Sequence, residues 1–259
     1  MNVLIFAAGL GTRLRPLTDA MPKALVPVGG KPLLQLLIEK LKAANSQQPI
    51  ANSLHIVVNV HHFADMVIDF LRQHDNFGVG IRVSDERDML LETGGGLKKA
   101  LPLFPNDDPV LIHNVDIFSN VDLAAFYAQA KANADAAATL LVGTHKEAYR
   151  FLIFNEDGNL VGWTNTNTGE YRGPIKDRLS QLSSLNSKVH TYAFSGIHVV
   201  NPKIIQPLMH EWEGKFSITD FYLSACETAE IKACVYPELK MIDVGTVEML
   251  NKLTQEDLC

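Results

Sequence analysis

The sequence predicts an α/β fold: a mostly parallel, Rossmann-like central sheet flanked by helices, with a small β-rich insertion in the second half. Three observations lead there. Short β-branched runs alternate with longer amphipathic stretches through the first half, in the order β-α-β-α. The chain has 259 residues, 47% of them apolar and 20% charged, enough for one large core. No internal repeat or Pro/Gly-rich linker divides it, so residues 1–259 are expected to form a single domain with halves meeting near residue 135.

Val3–Phe6 reads as the first strand. Pro32 to Ala44 reads as a helix, because Leu33, Leu34, Leu37, Ile38 and Leu41 fall on one face. Leu54–Val58 is a second strand, Ala64–Gln73 a helix, and Val79–Val83 a third strand. A short helix over Gly95–Leu103 stops before Pro105. Val110–Ile112 is a fourth strand and Asp122–Ala132 the helix after it. In the second half, Ala136–Val142, Phe151–Phe154 and Asn159–Trp163 read as strands, the last two joined by a turn at Glu156-Asp157-Gly158. Thr164 to Val189 is polar and weakly periodic, and reads as a long excursion over the mouth of the site. Tyr192–Val200 is a strand, Asn201–His210 and Thr219–Thr228 are helices, Ile231–Val235 is a strand, and Val247–Thr254 is a closing helix.

The formal net charge of −6 argues against a nucleic-acid partner. It also requires that any polyphosphate be held by a local cluster of cations and backbone N–H groups. No apolar run is long enough to span a membrane, and Val3–Ala8 is too short for a signal h-region. Three cysteines without ligand spacing point to a reduced, cytoplasmic setting.

The most informative stretch follows the first strand, Ala7-Ala8-Gly9-Leu10-Gly11-Thr12-Arg13. Glycines there let the backbone turn tightly and present N–H groups to phosphate oxygens. Alone, Gly-x-Gly reads equally well as a structural turn. The third glycine of a dinucleotide fingerprint is replaced by Leu14, and the Gly-Lys-Ser/Thr of a P-loop is absent. Instead Arg13 follows at once and Lys23 comes ten residues later, between prolines that stiffen the segment.

The run Ala-Ala-Gly-x-Gly-Thr-Arg-x-x-Pro-x-Thr, then Pro-Lys-x-Leu-x-Pro-Val, then Lys-Pro, resembles the signature of the sugar-1-phosphate nucleotidylyltransferases, over nearly the whole chain. The resemblance implies the nucleotide-diphospho-sugar transferase type of fold, with a nucleotide-binding half (about 1–135) and a sugar-binding half (about 136–259). It implies that Ala8, Gly9, Gly11, Thr12 and Arg13 hold the triphosphate, and that Lys23 contacts the phosphates around the reacting phosphorus. Arg13 and Lys23 are then the catalytic cations.

Asp116 ends the fourth strand in His113-Asn114-Val115-Asp116, and Asp243 precedes a turn in Asp243-Val244-Gly245-Thr246. Each alone reads as a cap or turn residue. Both resemble the family's two magnesium aspartates, although Val115 replaces the family's glycine and Met241 its aromatic residue. The implied cofactor is Mg2+. Leu91-Glu92-Thr93-Gly94-Gly95-Gly96 resembles the N-acetylmuramate 1-phosphate uridylyltransferase branch. The resemblance implies that Glu92, Gly94, Gly95 and Asn114 lie on the nucleotide, with backbone groups reading the base. Alone, the Leu91–Gly96 segment reads equally well as a flexible turn and helix start. Phe194-Ser195-Gly196-Ile197 resembles a sugar-contact strand, with Ser195 and Gly196 at the sugar. The Thr164–Tyr171 loop, with Asn165, Asn167 and Glu170, offers hydrogen-bond groups to sugar hydroxyls and reads equally well as a solvated surface. The family's Glu-Lys-Pro lysine has no counterpart, and Arg150, Arg172 and Lys176 are the candidate replacements.

The expected reaction joins a nucleoside triphosphate, UTP before others, to a sugar 1-phosphate. N-acetylmuramate 1-phosphate, in cell-wall recycling, is the first choice of sugar and mannose 1-phosphate with GTP the alternative. The protein is expected to act as a monomer or small homo-oligomer. Other classes remain open: a glycosyltransferase, a non-catalytic sensor of sugar nucleotides, and a cytidylyltransferase acting on a non-sugar phosphate.

Overall fold

The computed structural model describes residues 1–47, 53–144, 148–178 and 189–252. The first half runs β1 (Asn2–Phe6), β2 (Pro27–Val28), β3 (Lys31–Pro32), α1 (Leu33–Ser46), β4 (His55–Val60), α2 (Ala64–Gln73), β5 (Gly80–Asp85), α3 (Glu92–Ala100), β6 (Val110–Asn114), β7 (Ile117–Ser119) and α4 (Leu123–Ala132). The second half runs β8 (Ala138–Gly143), β9 (Arg150–Phe154), β10 (Leu160–Asn165), β11 (Glu170–Arg172), β12 (His190–Val200), α5 (Pro202–Leu208), α6 (Ile218–Ala225), β13 (Ile231–Val235), β14 (Met241–Asp243) and α7 (Val247–Lys252).

The main sheet has the order β11-β10-β9-β12-β6-β1-β4-β5, with β8 and β13 attached beside β12. Strands β6, β1, β4 and β5 are parallel, as the predicted crossovers require. The second half builds the rest. The long β12 runs antiparallel to β6, β8 and β9, so one strand ties both halves into a single sheet.

Helices cover both faces. Along β1, Val3 and Ile5 pack with α1, α2 and α4, through Leu34, Ile38, Val67 and Phe126. Leu4 and Phe6 point the other way, into a second cluster with Leu97 of α3, Ile205 of α5 and Phe221 of α6. This is the alternation that a strand buried on both faces must show.

Two expectations are corrected. The helix predicted over Gly95–Leu103 begins at Glu92, so Gly94, Gly95 and Gly96 lie inside it, where close packing outweighs glycine's poor helix propensity. The 164–189 excursion is structured in its described part. β11 pairs with β10, and a 3-10 turn covers Pro174–Arg178. The Arg172 guanidinium lies 4.0 Å over the Trp163 ring and pairs with Asp220, 2.5 Å away at the start of α6. These contacts hold the segment as an outer edge strand. Residues 179–188, and the predicted end of the last helix beyond Lys252, lie outside the described residues.

Candidate active site

The carboxyl ends of β1, β4 and β6 open into a cavity of about 380 Å3. Its walls are Ala7–Gly9, Lys23 and Asn59 on one side, Leu90, Glu92 and Thr93 on another, and Asn114–Asp116 on the third. A second cavity of about 320 Å3 adjoins it across Phe6, Thr93 and Asn114, and runs toward Gly196, His198 and Asp243. Parallel strands place their ligands at this edge.

The two loop glycines act differently. Gly11 sits at φ +62°, and a Cβ there would lie 2.8 Å from Thr18 Cγ2. The Thr18 hydroxyl and the Leu14 N–H both donate to the Gly11 carbonyl at 2.8 Å, which closes the turn. Gly9 has open space around it and lines the cavity. Ala8 also lines the cavity, but its N–H donates to Asn59 Oδ1 at 3.1 Å. Ala8 therefore contributes wall rather than a free donor. Thr12 and Arg13 are exposed on the following 3-10 turn.

Opposite charges converge beside the loop. Lys23 pairs with Asp116, and both side chains are largely buried. Arg13 lies 3.6 Å from Asp243. The two aspartates meet because β7 and β14 pair antiparallel, with Asp243 opposite Ile117, and because the Val244 N–H donates to the Asp116 carbonyl at 2.9 Å. Partial burial, reinforced by the neighbouring Asp116 charge, raises the Asp243 pKa, while Lys23 and Arg13 oppose that shift. A Cβ at residue 245 would come within 2.4 Å of the Arg13 guanidinium, so Gly245 leaves room for it. Among the described residues no group of three or more His, Cys, Asp or Glu is placed to hold a metal. A pair of carboxylates suits Mg2+, which takes one or two and completes its shell with water and phosphate oxygens.

The expected base wall is corrected in detail. The Gly94 and Gly95 N–H groups donate to the Phe216 carbonyl at 2.9 and 3.3 Å. A Cβ at Gly94 would fall 2.3 Å from the Phe216 ring, and one at Gly95 2.3 Å from the Gly214 carbonyl. These glycines dock α3 against residues 214–216. Leu90, Glu92 and Thr93 face the cavity in their place, Glu92 at φ +59°.

In the second cavity, Gly196 at φ +78° makes room for Asn114, since a Cβ would lie 2.8 Å from its Nδ2. The Ser195 hydroxyl is turned inward: it donates to the Leu141 carbonyl at 2.8 Å and accepts from the Ile197 N–H at 3.1 Å. The hydroxyl is therefore engaged within the sheet, although the residue lines the second cavity. Glu170 is on the outer edge strand, beside Arg172, and lines neither cavity. Arg172, one candidate replacement for the missing lysine, is held on Trp163 and Asp220.

Sequence reasoning missed Asn59, Ser217, Thr219 and His198 as lining residues. Asn59 carried a signal, a polar residue ending the run Ile56-Val57-Val58. The β7–β14 pairing carried none, because three-residue strands are too short to show a period.

The chain belongs to the nucleotidyl transferase family, whose sequence pattern matches residues 2–258. It is 47% identical over 115 residues to an N-acetylmuramate alpha-1-phosphate uridylyltransferase of Caulobacter vibrioides, covering 44% of each chain. It is 37% identical over 162 residues to the protein of the same name from Neisseria meningitidis, covering 62% of this chain and 63% of that one. These matches span less than two thirds of either relative. A putative glucose-1-phosphate thymidylyltransferase from Bacillus anthracis, solved with sucrose, shares the fold at a TM-score of 0.72 and 21% identity, over 97% of this chain and 93% of that one. No helix among the described residues is long and apolar enough to cross a membrane.

Proposed function

We propose that the protein transfers a nucleotidyl group from a nucleoside triphosphate to a sugar 1-phosphate, with UTP and N-acetylmuramate 1-phosphate as the substrates. One observation carries the reading: Gly9 of the glycine loop, Lys23 and Asp116 line one cavity, and Asp243, brought beside Asp116, lines the cavity that adjoins it. The relatives' names and the Leu91–Gly96 segment favour the uridylyl and muramate choice.

A sugar-phosphate oxygen attacks the α-phosphorus in line. The new P–O bond forms as the bond from the α-phosphorus to the bridging oxygen breaks, and pyrophosphate leaves with that electron pair. The sugar phosphate is largely dianionic at neutral pH and needs no general base. Gly9 lets the backbone approach the phosphates, and Arg13 and Lys23 offset the charge that builds on the leaving group. Asn114 lines both cavities and would lie between nucleotide and sugar. Asp116 and Asp243 would hold Mg2+, which when bound neutralises phosphate charge.

Pyrophosphate release tests this, with each triphosphate in turn against N-acetylmuramate, N-acetylglucosamine, glucose and mannose 1-phosphates in Mg2+. Release with UTP and the muramate substrate alone is expected. Release with GTP and mannose 1-phosphate would keep the reaction and overturn the substrates. Binding of a finished sugar nucleotide without any release would overturn the reaction.

A further inference from the structure

Behind the first cavity lies a chain of buried hydrogen bonds that touches none of the charged groups above. The Asn59 side chain is 3% exposed and its Oδ1 accepts from two successive backbone donors, Ala7 N–H at 2.7 Å and Ala8 N–H at 3.1 Å. That fixes the orientation of the amide, so its Nδ2 faces Glu86 and donates to Oε1 at 2.8 Å. Glu86 is 1% exposed, and its other oxygen accepts from the Leu91 N–H at 3.1 Å. The Glu86 main chain is anchored as well, its N–H to the Val60 carbonyl at 2.7 Å. Gly96 closes the space behind, where a Cβ would lie 3.0 Å from Glu86 Oε1 and 3.2 Å from Asn59 Nδ2.

This network joins two opposite walls of the cavity. Ala7 and Ala8 open the phosphate loop, and Leu91 leads into Glu92 and Thr93. We infer that Asn59 and Glu86 are positioning residues for the nucleotide: a buried clamp that sets the distance between the phosphate loop and the Leu90–Thr93 wall. Neither needs to touch the ligand. A carboxylate is the right group at 86, because both of its neighbours there are donors and it alone accepts at both oxygens. The inference rests on the nucleotide being held in this cavity, and locates what fixes the slot's width.

The polarity of the chain supplies the test. In Glu86→Gln, one of the two contacts becomes donor against donor, whichever way the amide lies. Flipping Asn59 to compensate would set its NH2 against the Ala7 and Ala8 N–H groups. In Asn59→Asp, two carboxylates face each other. In the double variant Asn59→Asp/Glu86→Gln every link is restored. Residue 59 accepts from Ala7, Ala8 and the new amide, and the oxygen of that amide accepts from Leu91.

The experiment is calorimetric binding of UTP, with steady-state kinetics for both substrates and a melting curve for each variant. Each single variant is expected to weaken UTP binding by about tenfold or more, the scale of one broken buried polar contact. KM for the sugar phosphate should stay within about twofold, since that contact lies outside its cavity. The double variant should return UTP affinity to within about threefold of the wild type, and it keeps the question open to measurement if a single variant does not fold. Wild-type UTP affinity in either single variant, equal losses for both substrates, or a folded double variant no better than the singles would overturn the clamp. Wild-type protein that binds UTP but releases no pyrophosphate with any sugar phosphate would sink the proposed reaction and leave the clamp measurable by binding. Wild-type protein that binds no triphosphate would sink both.

Discussion

The two sides of the first cavity are built by opposite means. On the phosphate side, Lys23 with Asp116 and Arg13 with Asp243 are ion pairs, the second of them well exposed. On the far side, Asn59, Glu86 and the α3 glycines are buried among fixed hydrogen bonds and close packing. The difference follows from what each side must do. If the proposed reaction holds, these charges trade partners when a triphosphate and a cation arrive, and an exposed pair such as Arg13–Asp243 exchanges at little cost. Groups that only hold a shape do best where water cannot compete with them. In this protein the Arg13–Asp243 pair sits at the rim, Lys23 and Asp116 lie deeper, and the hydrogen-bonded network is buried behind them.

The largest effect should come from breaking the charged side. Lys23→Ala removes a fixed cation beside the leaving group, and kcat/KM should fall by about 10²- to 10³-fold, the cost of losing one preorganised charge-stabilising group. The same variant leaves Asp116 and Asp243 without their buried partner. Mn2+ should then bind tighter than to wild type without nucleotide, as titration calorimetry would read. An unchanged rate would remove Lys23 from the chemistry. Slowed turnover with unchanged metal affinity would mean that Lys23 does not compete for the acid pair.

Breaking the packed side should cost stability first. Gly94→Ala puts a methyl group 2.3 Å from the Phe216 ring, and overpacking of this kind costs about 1–3 kcal/mol. Denaturant melts would measure it. A neutral result would mean that residues 214–216 yield easily and that α3 is not docked by its glycines.

How much of this contrast the sequence displayed depends on the side. On the charged side, Gly9, Gly11, Arg13, Lys23, Asp116 and Asp243 stand in a sequence that resembles a family signature, and the fold does bring Lys23 to Asp116 and Arg13 to Asp243. The parallel half of the sheet was legible too, since strands buried on both faces and amphipathic crossovers leave strong periods. The packed side was not. Gly94 and Gly95 suggested free backbone groups, whereas their N–H groups are already held by Phe216, which lies 122 and 121 residues further along the chain. Ser195 lines the second cavity, but its hydroxyl is engaged by the Leu141 carbonyl, which the sequence did not show. Glu86 stands among Asp85, Arg87 and Asp88 in sequence, and nothing in that local pattern marks it as buried. Such roles are set by tertiary neighbours, which local pattern does not encode.

Acid should expose a second aspect of the packed side. His113 and His198 are buried, and burial lowers their pKa values to about 4 and about 3, below the 6.5 of an exposed histidine. Between those values and 6.5 the unfolded chain binds protons that the folded one refuses. Stability contributed by the neutral rings is therefore complete above about pH 6.5 and lost as pH falls below it. At pH 5 each histidine should cost about 2 kcal/mol relative to pH 7.5. His198 packs between Phe194 and Tyr222, with ring centroids at 5.4 and 5.7 Å, so phenylalanine fits the same surroundings. His198→Phe should recover about 2 kcal/mol at pH 5 and little at pH 7.5, as urea melts at the two pH values would show. Equal effects at both would mean that the ring is not a proton acceptor of the unfolded chain alone.

The smallest effect should come from a residue on neither side. Glu170 resembles a sugar contact in sequence, but the fold sets it on β11, three strands from β12 in the sheet order. At about 4.8 Å per strand that is roughly 14 Å from the Gly196 strand. Its partner is Arg172 at 3.7 Å, with Glu170 about half exposed, a pair that contributes at most a few tenths of a kcal/mol. Glu170→Ala should therefore leave KM for the sugar phosphate within about twofold and stability within about 0.5 kcal/mol of wild type. A tenfold rise in that KM would mean that β11 folds over the second cavity when the sugar binds, and the contrast drawn here between a charged rim and a fixed interior would need a third, moving part.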